Sequence, residues 1–319
     1  MNTATAIAET GTVNHPVVSS ERWVAERRTL LAREKELTRL RDQIARERRA
    51  LPWERVEKDY VFDAPEGLRA LSDLFEGRRQ LLVQHFMLAP GWEEGCRGCS
   101  FMADHIDGMN VHLAHRDVTF VAISRAPLAE IERFRRRMGW QFQWVSSHGS
   151  DFNRDFGVTF TPEEVARGKL HYNYGEWPFA SEEWPGISAF CRDDAGNVFH
   201  TYSTYGRGVE VMMGTYNLLD LMPEGRGERD VDNKMEWVRH HDRYEPAPPP
   251  GACVRAMGRR YGVRSCPSAS GTPRRSRSWL APLHRACGWT ARSSRAWPAR
   301  CSSARRCTAC RAARGGASR

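Results

Sequence analysis

The stretch Gly95-Cys96-Arg97-Gly98-Cys99-Ser100 constrains this chain more than any other, because of what lies on each side of it. Before it, Leu81 to Leu88 (LLVQHFML) is a continuous apolar run that reads as a buried strand, followed by a turn at Pro90-Gly91. After it, Phe101, Met102, Ile106, Met109 and Leu113 fall at helical spacing from Cys99 to Leu113. A Cys-x-x-Cys pair where a strand hands over to a helix is the place for a redox dithiol. The unpaired N–H groups and positive dipole end of a helix start favour a thiolate, the reactive form of cysteine.

The rest of the chain repeats the alternation. Asp117 to Ser124 (DVTFVAIS) reads as a second strand, and Pro127 opens a helix with the face Leu128, Ile131, Phe134 and Met138, closed by Gly139. Phe142 to Ser146 is a third strand, so the chain calls for right-handed crossovers and a central sheet with parallel neighbours. Upstream, Tyr60 to Asp63 reads as a short strand and Gly67 to Phe75 as a short helix. Downstream, Gly186 to Cys191 and Asn197 to Thr204 are joined by Arg-Asp-Asp-Ala-Gly, a hairpin signal. Helices are expected near Tyr216 to Leu221 and over Asp230 to Tyr244. Thr159 to Trp184 is rich in aromatics without a period and reads as an insertion covering part of the sheet.

The two ends differ from this body. Ser19 or Ser20 caps a long helix that Pro52 stops, with Trp23, Leu30, Leu37, Ile44 and Leu51 at intervals of seven. Its narrow apolar stripe suits packing on its own domain first, or pairing with a second copy in a homodimer. At the other end, Gly251 to Arg319 holds sixteen Arg, six of the nine Cys, and no Lys, Asp or Glu. The net charge of +9 is therefore local: the preceding residues hold 32 basic and 39 acidic side chains, an acidic body near −7. This tail lacks the residues of a core, and its composition is what GC-rich codons yield in a shifted frame; a basic arm for nucleic acid is the rival reading. The organisation expected is a disordered 1–18, a helical arm 19–52, a domain over 53–245 and a disordered tail 246–319. Three cysteines in the body exclude a disulfide framework and fit a reducing compartment. With no signal-peptide pattern and no membrane-length apolar run, the expected location is the cytoplasm, with no membrane and no nucleic-acid partner.

Strand, Cys-x-x-Cys, helix, strand, helix, strand, hairpin, helix is the order of the thioredoxin superfamily. More closely, HPVVSSERWVAERRTLLAREKELTRLRD, VAISRAPLAEIERFRRRMGWQFQWVSS, FNRDFGV, TYSTYGRGVE and LLDLMPEGR resemble a bacterial thioredoxin-like family of unassigned function, commonly described as predicted dithiol-disulfide oxidoreductases. The resemblance spans about residues 15 to 245. It implies an α/β thioredoxin-like fold, a central mixed sheet flanked by helices, acting on protein or small-molecule disulfides and thiols without a cofactor. It also implies Cys96 as the attacking thiolate and Cys99 as the resolving thiol. Pro185, in Trp-Pro-Gly, occupies the place of the substrate-side proline ahead of the hairpin.

The departures from that pattern matter as much. The residues between the cysteines are Arg97 and Gly98 in place of Gly-Pro, and Gly95 replaces a tryptophan that Trp92 could stand in for. Arg97 should lower the pKa of Cys96, while Glu93 and Glu94 push the other way. Aligned on Phe86, the buried acid that serves the resolving thiol is replaced by His85, a base suited to neutral pH or else a hydrogen-bonded core residue. The alternatives are a metal site built from Cys96, Cys99 and one of His105, His112 and His115, and a scaffold that binds through the insertion's aromatics. The second Cys-x-x-Cys, Cys307 and Cys310, lies in the tail. Nucleotide binding has no glycine-rich loop to support it, and a peroxidase reading lacks the Pro-x-x-x-Thr-x-x-Cys context.

Overall fold

The computed structural model describes residues 15–179, 181–228 and 234–245. All belong to the first of the two units into which the chain divides, Met1–Ala252. The tail expected at 246–319, with Cys307 and Cys310, and most of the stretch 1–18 lie outside the described residues.

Helix α1 (Ser20–Arg49) begins as expected, with the Ser19 hydroxyl accepting the Arg22 N–H at 3.3 Å. No residue of α1 is buried, and Trp23, at the head of the stripe, is 59% exposed. The stripe therefore does not pack on its own domain. It is one residue wide for most of its length, so folding it back would bury little apolar area against the desolvation of the charges beside it.

The chain then runs through β1 (Glu54–Arg55), β2 (Val61–Ala64), β3 (Gly67–Ala70), β4 (Gln80–His85), α2 (Arg97–Ala103), α3 (Ile106–His115), β5 (Val118–Ser124), α4 (Leu128–Met138) and β6 (Gln143–Ser146). It continues through α5 (Phe152–Asp155), α6 (Pro162–Ala166), β7 (Leu170–Tyr172), β8 (Gly175–Trp177), β9 (Gly186–Arg192), β10 (Val198–Tyr205) and α7 (Gly214–Leu219). The main sheet has the order β1-β10-β9-β4-β5-β6-β2-β3, with β4, β5 and β6 parallel and the others antiparallel to their neighbours. This central mixed sheet flanked by helices is a thioredoxin-like fold. The insertion forms α6 and the separate hairpin β7–β8, whose Tyr172 packs with Val158 and Tyr205. No helix among the described residues is long and apolar enough to cross a membrane.

Three element expectations need correction. Gly67 to Phe75 is not a helix: β3 pairs with β2 from Val61↔Ala70 to Ala64↔Gly67, and only Asp73–Phe75 turns helically. Gly67 sits at φ 116°, a turn conformation open to glycine, and Leu68 is 74% exposed, so only Leu71, Leu74 and Phe75 of this stretch reach the core. The helix expected from Cys99 to Leu113 is two, broken at Asp104 and His105. Asp104 accepts the Trp140 Nε1–H at 2.9 Å, and the His105 ring bonds the Phe101 carbonyl and the Thr215 hydroxyl. Of the helix expected over Asp230 to Tyr244, the described part holds turns and one helical turn at His241–Arg243.

Alternation along β4 sends its side chains to different cores. Leu82 and Phe86 pack with Cys99, Met102, Phe134 and Trp144 beneath α2 and α4, while Leu81 and Val83 pack with Phe62, Phe75, Phe152 and Phe190 on the other face. His85 goes with the second set: Nε2 lies 2.7 Å from the Ser188 hydroxyl, and the ring stacks on Phe152 and Phe156. It is therefore not the base expected for Cys99. Aligning on Phe86 placed it one residue off, and a slip of one residue in a strand exchanges the faces. The residue that reaches the dithiol helix is Gln84, whose Nε2–H donates to the Cys99 carbonyl at 3.0 Å.

Burial, and secondly the charge of His200, push the His85 pKa down to about 3. The unfolded ring, near pKa 6.5, takes up a proton that the folded ring refuses, so stability is fully present above about pH 6.5 and falls as pH drops toward the folded value. In urea titrations between about pH 6.5 and 4.5, His85→Gln should lose roughly 1 kcal/mol less per pH unit than the wild type. Parallel slopes would show that the ring is protonated inside the fold.

Candidate active site

The main chain leaving β4 builds the site. Met87 holds both cysteines: its carbonyl accepts the Cys96 N–H at 3.0 Å, and its own N–H points to Cys99 Sγ at 3.4 Å. Gly95 immediately precedes Cys96 because nothing larger fits. A Cβ there would come within 2.6 Å of Phe86 Cε1 and 2.8 Å of Phe134 Cε1, so no tryptophan could stand at this position. Trp92 packs half-buried against the same core. Cys96 caps α2, and both the N–H and the hydroxyl of Ser100 donate to its carbonyl at 2.9 Å.

The two thiols are unlike. Cys96 is half-buried and Cys99 buried. The Cys96 pKa is lowered to about 6, first by the hydrogen bond from the Cys99 thiol, then by the N–H groups of Cys99 and Gly98 and by the charge of Arg97, against the cost of burial. Burial, followed by the bond to Cys96 and its charge, holds the Cys99 thiol well above its ordinary range. One sulfur is thus prepared to ionise while the other keeps its proton. Arg97 is exposed and donates to the Val238 carbonyl at 3.3 Å. Glu94, expected to oppose the shift, is taken up by Arg137 at 2.5 Å and Arg243 at 3.0 Å.

Cys96 and Cys99 open onto a cavity of about 950 Å³ that Pro185 also lines. Pro185 is brought there by β9, which pairs with β4 at His85↔Gly186, and its carbonyl accepts the Tyr172 hydroxyl at 2.6 Å. Of the five residues singled out in the sequence, Cys96, Cys99 and Pro185 meet in this cavity, Arg97 stands at the helix start beside it, and His85 lies on the opposite face of the sheet.

The residue that sequence reasoning missed is Glu183, on the wall of the same cavity. It is 1% exposed, with Arg125 Nε at 2.6 Å and the Thr159 hydroxyl at 3.0 Å. Burial raises its pKa despite Arg125, and its charge in turn raises that of Cys99. The available signal was a pair of acids, Glu182 and Glu183, directly ahead of Trp184-Pro185. The metal alternative fares differently. The His105 ring nitrogens face the Phe101 carbonyl and Thr215, and His112 and His115 are exposed on α3. Among the described residues, no group of three or more His, Cys, Asp or Glu could hold a metal ion.

Several solved structures are similar to the chain. Peroxidoxin BcpB from Mycobacterium tuberculosis is 16% identical, the match covering 51% of this chain and 94% of that one with a TM-score of 0.34. A protein described as a thiol:disulfide interchange protein DsbE from Chlorobium tepidum is 13% identical over 52% of this chain and 97% of its own, with a TM-score of 0.33. A cysteine-to-serine mutant of Xylella fastidiosa PrxQ is 9% identical over 52% of this chain and 94% of its own, with a TM-score of 0.34. No curated protein matches the chain. A family model, however, matches residues 12–244, which include every site residue described above. By that match the chain belongs to the family described as bacterial protein of unknown function, DUF899.

Proposed function

We propose that the body of the chain, 53–245, carries out thiol-disulfide exchange, with Cys96 attacking and Cys99 resolving. The observation that carries this reading is the arrangement of the thiol pair. Within one helical turn, half-buried Cys96 at the helix cap and buried Cys99 are both tied to the main chain of Met87, and both open onto a cavity. The Cys96 thiolate attacks a substrate disulfide and forms a mixed disulfide, expelling a thiolate. Cys99 then loses its proton and attacks the Cys96 sulfur, releasing the second substrate thiol and leaving a Cys96–Cys99 disulfide. In this reading Arg97 supports the Cys96 thiolate, Gln84 positions the helix through the Cys99 carbonyl, and Pro185 stands on the substrate side.

Resolution needs a proton acceptor, and His85 faces away. Glu183 takes that role in the proposed cycle, because it shares the cavity wall with Cys99 and burial raises its pKa above that of a solvated carboxyl. Arg125 keeps the carboxylate ionised enough to accept, and the low-dielectric surroundings keep it basic enough to be useful.

The thiolate is the nucleophile, so the alkylation rate of Cys96 by iodoacetamide should rise with pH around a midpoint of about 6 and level off above it. In Cys99→Ala, which removes the donated hydrogen bond, the midpoint should move upward. A midpoint near that of free cysteine in the parent protein would remove the basis for Cys96 as the attacking group. For Glu183→Gln, mass spectrometry of quenched reactions should show the Cys96 mixed disulfide persisting, with resolution slowed about 100-fold. Losing the negative charge alone would lower the Cys99 pKa and hasten resolution, so acceleration would rule out Glu183 as the proton acceptor.

A further inference from the structure

The wall of the cavity beside the dithiol is built from soft apolar side chains: Met102, Met213, Met222, Met235, Trp177 and Trp184 all line it. Its volume of about 950 Å³ lies at the upper end of cavities that enclose a small ligand. Methionine fills irregular space and adapts to ligands of differing outline, so this surface accepts hydrocarbon rather than one fixed shape.

Most charged groups lining the cavity have partners within the fold; Lys234 Nζ donates to the Glu228 carbonyl at 2.9 Å, and Glu224 is exposed. Arg207 pairs with Glu210 at 2.8 Å, and Arg226 pairs with Asp220 at 2.8 Å and with Glu210 at 3.2 Å. Glu228 accepts hydrogen bonds from the Tyr216 hydroxyl at 3.0 Å and Trp237 Nε1 at 2.7 Å. Glu183 is held by Arg125 and Thr159. An ionised substrate arm would lose water here and gain little from groups already paired with each other.

A polypeptide substrate meets a second obstacle. Extended peptides bind by pairing their main chain with donors and acceptors on a strand edge. Around Pro185 those groups are used inside the fold: the Trp184 N–H goes to the Val158 carbonyl at 2.9 Å, the Gly206 N–H to the Tyr172 hydroxyl at 2.8 Å, and the Pro185 carbonyl accepts that same hydroxyl. Val158, directly ahead of the insertion, and Tyr172 within it have taken the place a substrate backbone would need.

We infer that this site acts on compact, uncharged, apolar low-molecular-weight disulfides rather than on protein disulfides, an inference that rests on the thiol-disulfide reading given above. For a substrate RS–SR, the Cys96 sulfur bonds to one substrate sulfur as the S–S bond breaks, and the departing thiolate takes a proton from water. The Cys99 proton passes to Glu183, the Cys99–Cys96 bond forms, and the second thiolate leaves with that proton as RSH. The substrate gains two electrons and the dithiol loses two, so one reduced protein molecule supports one turnover without any further reductant.

The test uses the full chain, reduced and freed of reductant, in single-turnover reactions quenched with acid, with the Cys96–Cys99 disulfide followed by peptide mass spectrometry. The probes are dibutyl disulfide, the dianion 3,3′-dithiodipropionate, the dication cystamine and insulin, each rate being divided by that of the same probe with free dithiothreitol. The normalised rate for dibutyl disulfide should exceed each of the others by about tenfold or more, the scale of discrimination an apolar pocket provides. In the double variant Met213→Gln, Met222→Gln, the ratio of dibutyl disulfide to dithiodipropionate should fall toward one. Insulin or a charged probe reacting as fast as dibutyl disulfide overturns the apolar substrate class while leaving the exchange reading in place. Failure of all four probes to produce a Cys96–Cys99 disulfide overturns both.

Discussion

Strand β4 is hydrogen-bonded along both edges, in parallel to β5 and antiparallel to β9, and the site depends on that double pairing. Because both edges are used, the strand can neither slip nor tilt without breaking a ladder, and its exit point is fixed. Phe86 N–H extends the ladder by one bond to the Ile123 carbonyl. Met87, the next residue, is then free to turn its N–H and carbonyl toward the two cysteines. The same pairing fixes Pro185, since β9 starts opposite the end of β4. Cys96, Cys99 and Pro185 are thus placed by backbone hydrogen bonds rather than by side-chain packing alone.

Placement by backbone leaves the side chains to set the electrostatics, and they do so asymmetrically. Cys96 gains donors without being fully enclosed, whereas Cys99 is enclosed and shares its surroundings with the charge of Glu183. In a fully solvated pair the two thiols would ionise at similar pH, and neither would be the defined nucleophile. Here the hydrogen bond between them works in one direction, since the thiol that finds it hardest to lose a proton donates to the one that finds it easiest. The acids next to the motif in sequence would have disturbed this arrangement. Glu94 does not, because Arg137 of α4 and Arg243 near the end of the described chain hold it.

What the sequence made legible was local, and what it concealed was relational. The cap at Ser19, the run into β5, the helix closed by Gly139 and the β9–β10 hairpin follow from turn chemistry and periodicity, and they stand where the residues place them. The β2–β3 hairpin was hidden because a stretch of four residues carries too little pattern to separate strand from helix. The break at Asp104 was hidden because the partners that reward it, Trp140 and Thr215, lie far away in the chain. For the site the same division holds. Cys96, Cys99 and Pro185 are marked by spacing and neighbours, but whether His85 or Gln84 faces the dithiol turns on a one-residue phase that alignment on a single phenylalanine does not settle. Glu183 depends on Arg125 and Thr159 converging on it from different segments, which no local pattern encodes.

The two glycines around the dithiol bear on why the site takes this form. Gly95 lets the chain pass between the rings of Phe86 and Phe134, and a Cβ on Gly98 would lie 3.3 Å from Met235 Cε and 3.7 Å from Cys96 Sγ. The backbone of the motif is therefore packed closely on both sides, by aromatic rings below and by a methionine above. Arginine and glycine between the cysteines suit this packing: the exposed position carries a charge beside Cys96, and at the second position a Cβ would need the Met235 methyl to yield by a few tenths of an ångström. A bulkier residue at the second position would push Met235 outward and admit water to the sulfur. The identity of the two intervening residues is in this way tied to the apolar cover over the dithiol, and so to how dry the sulfur remains.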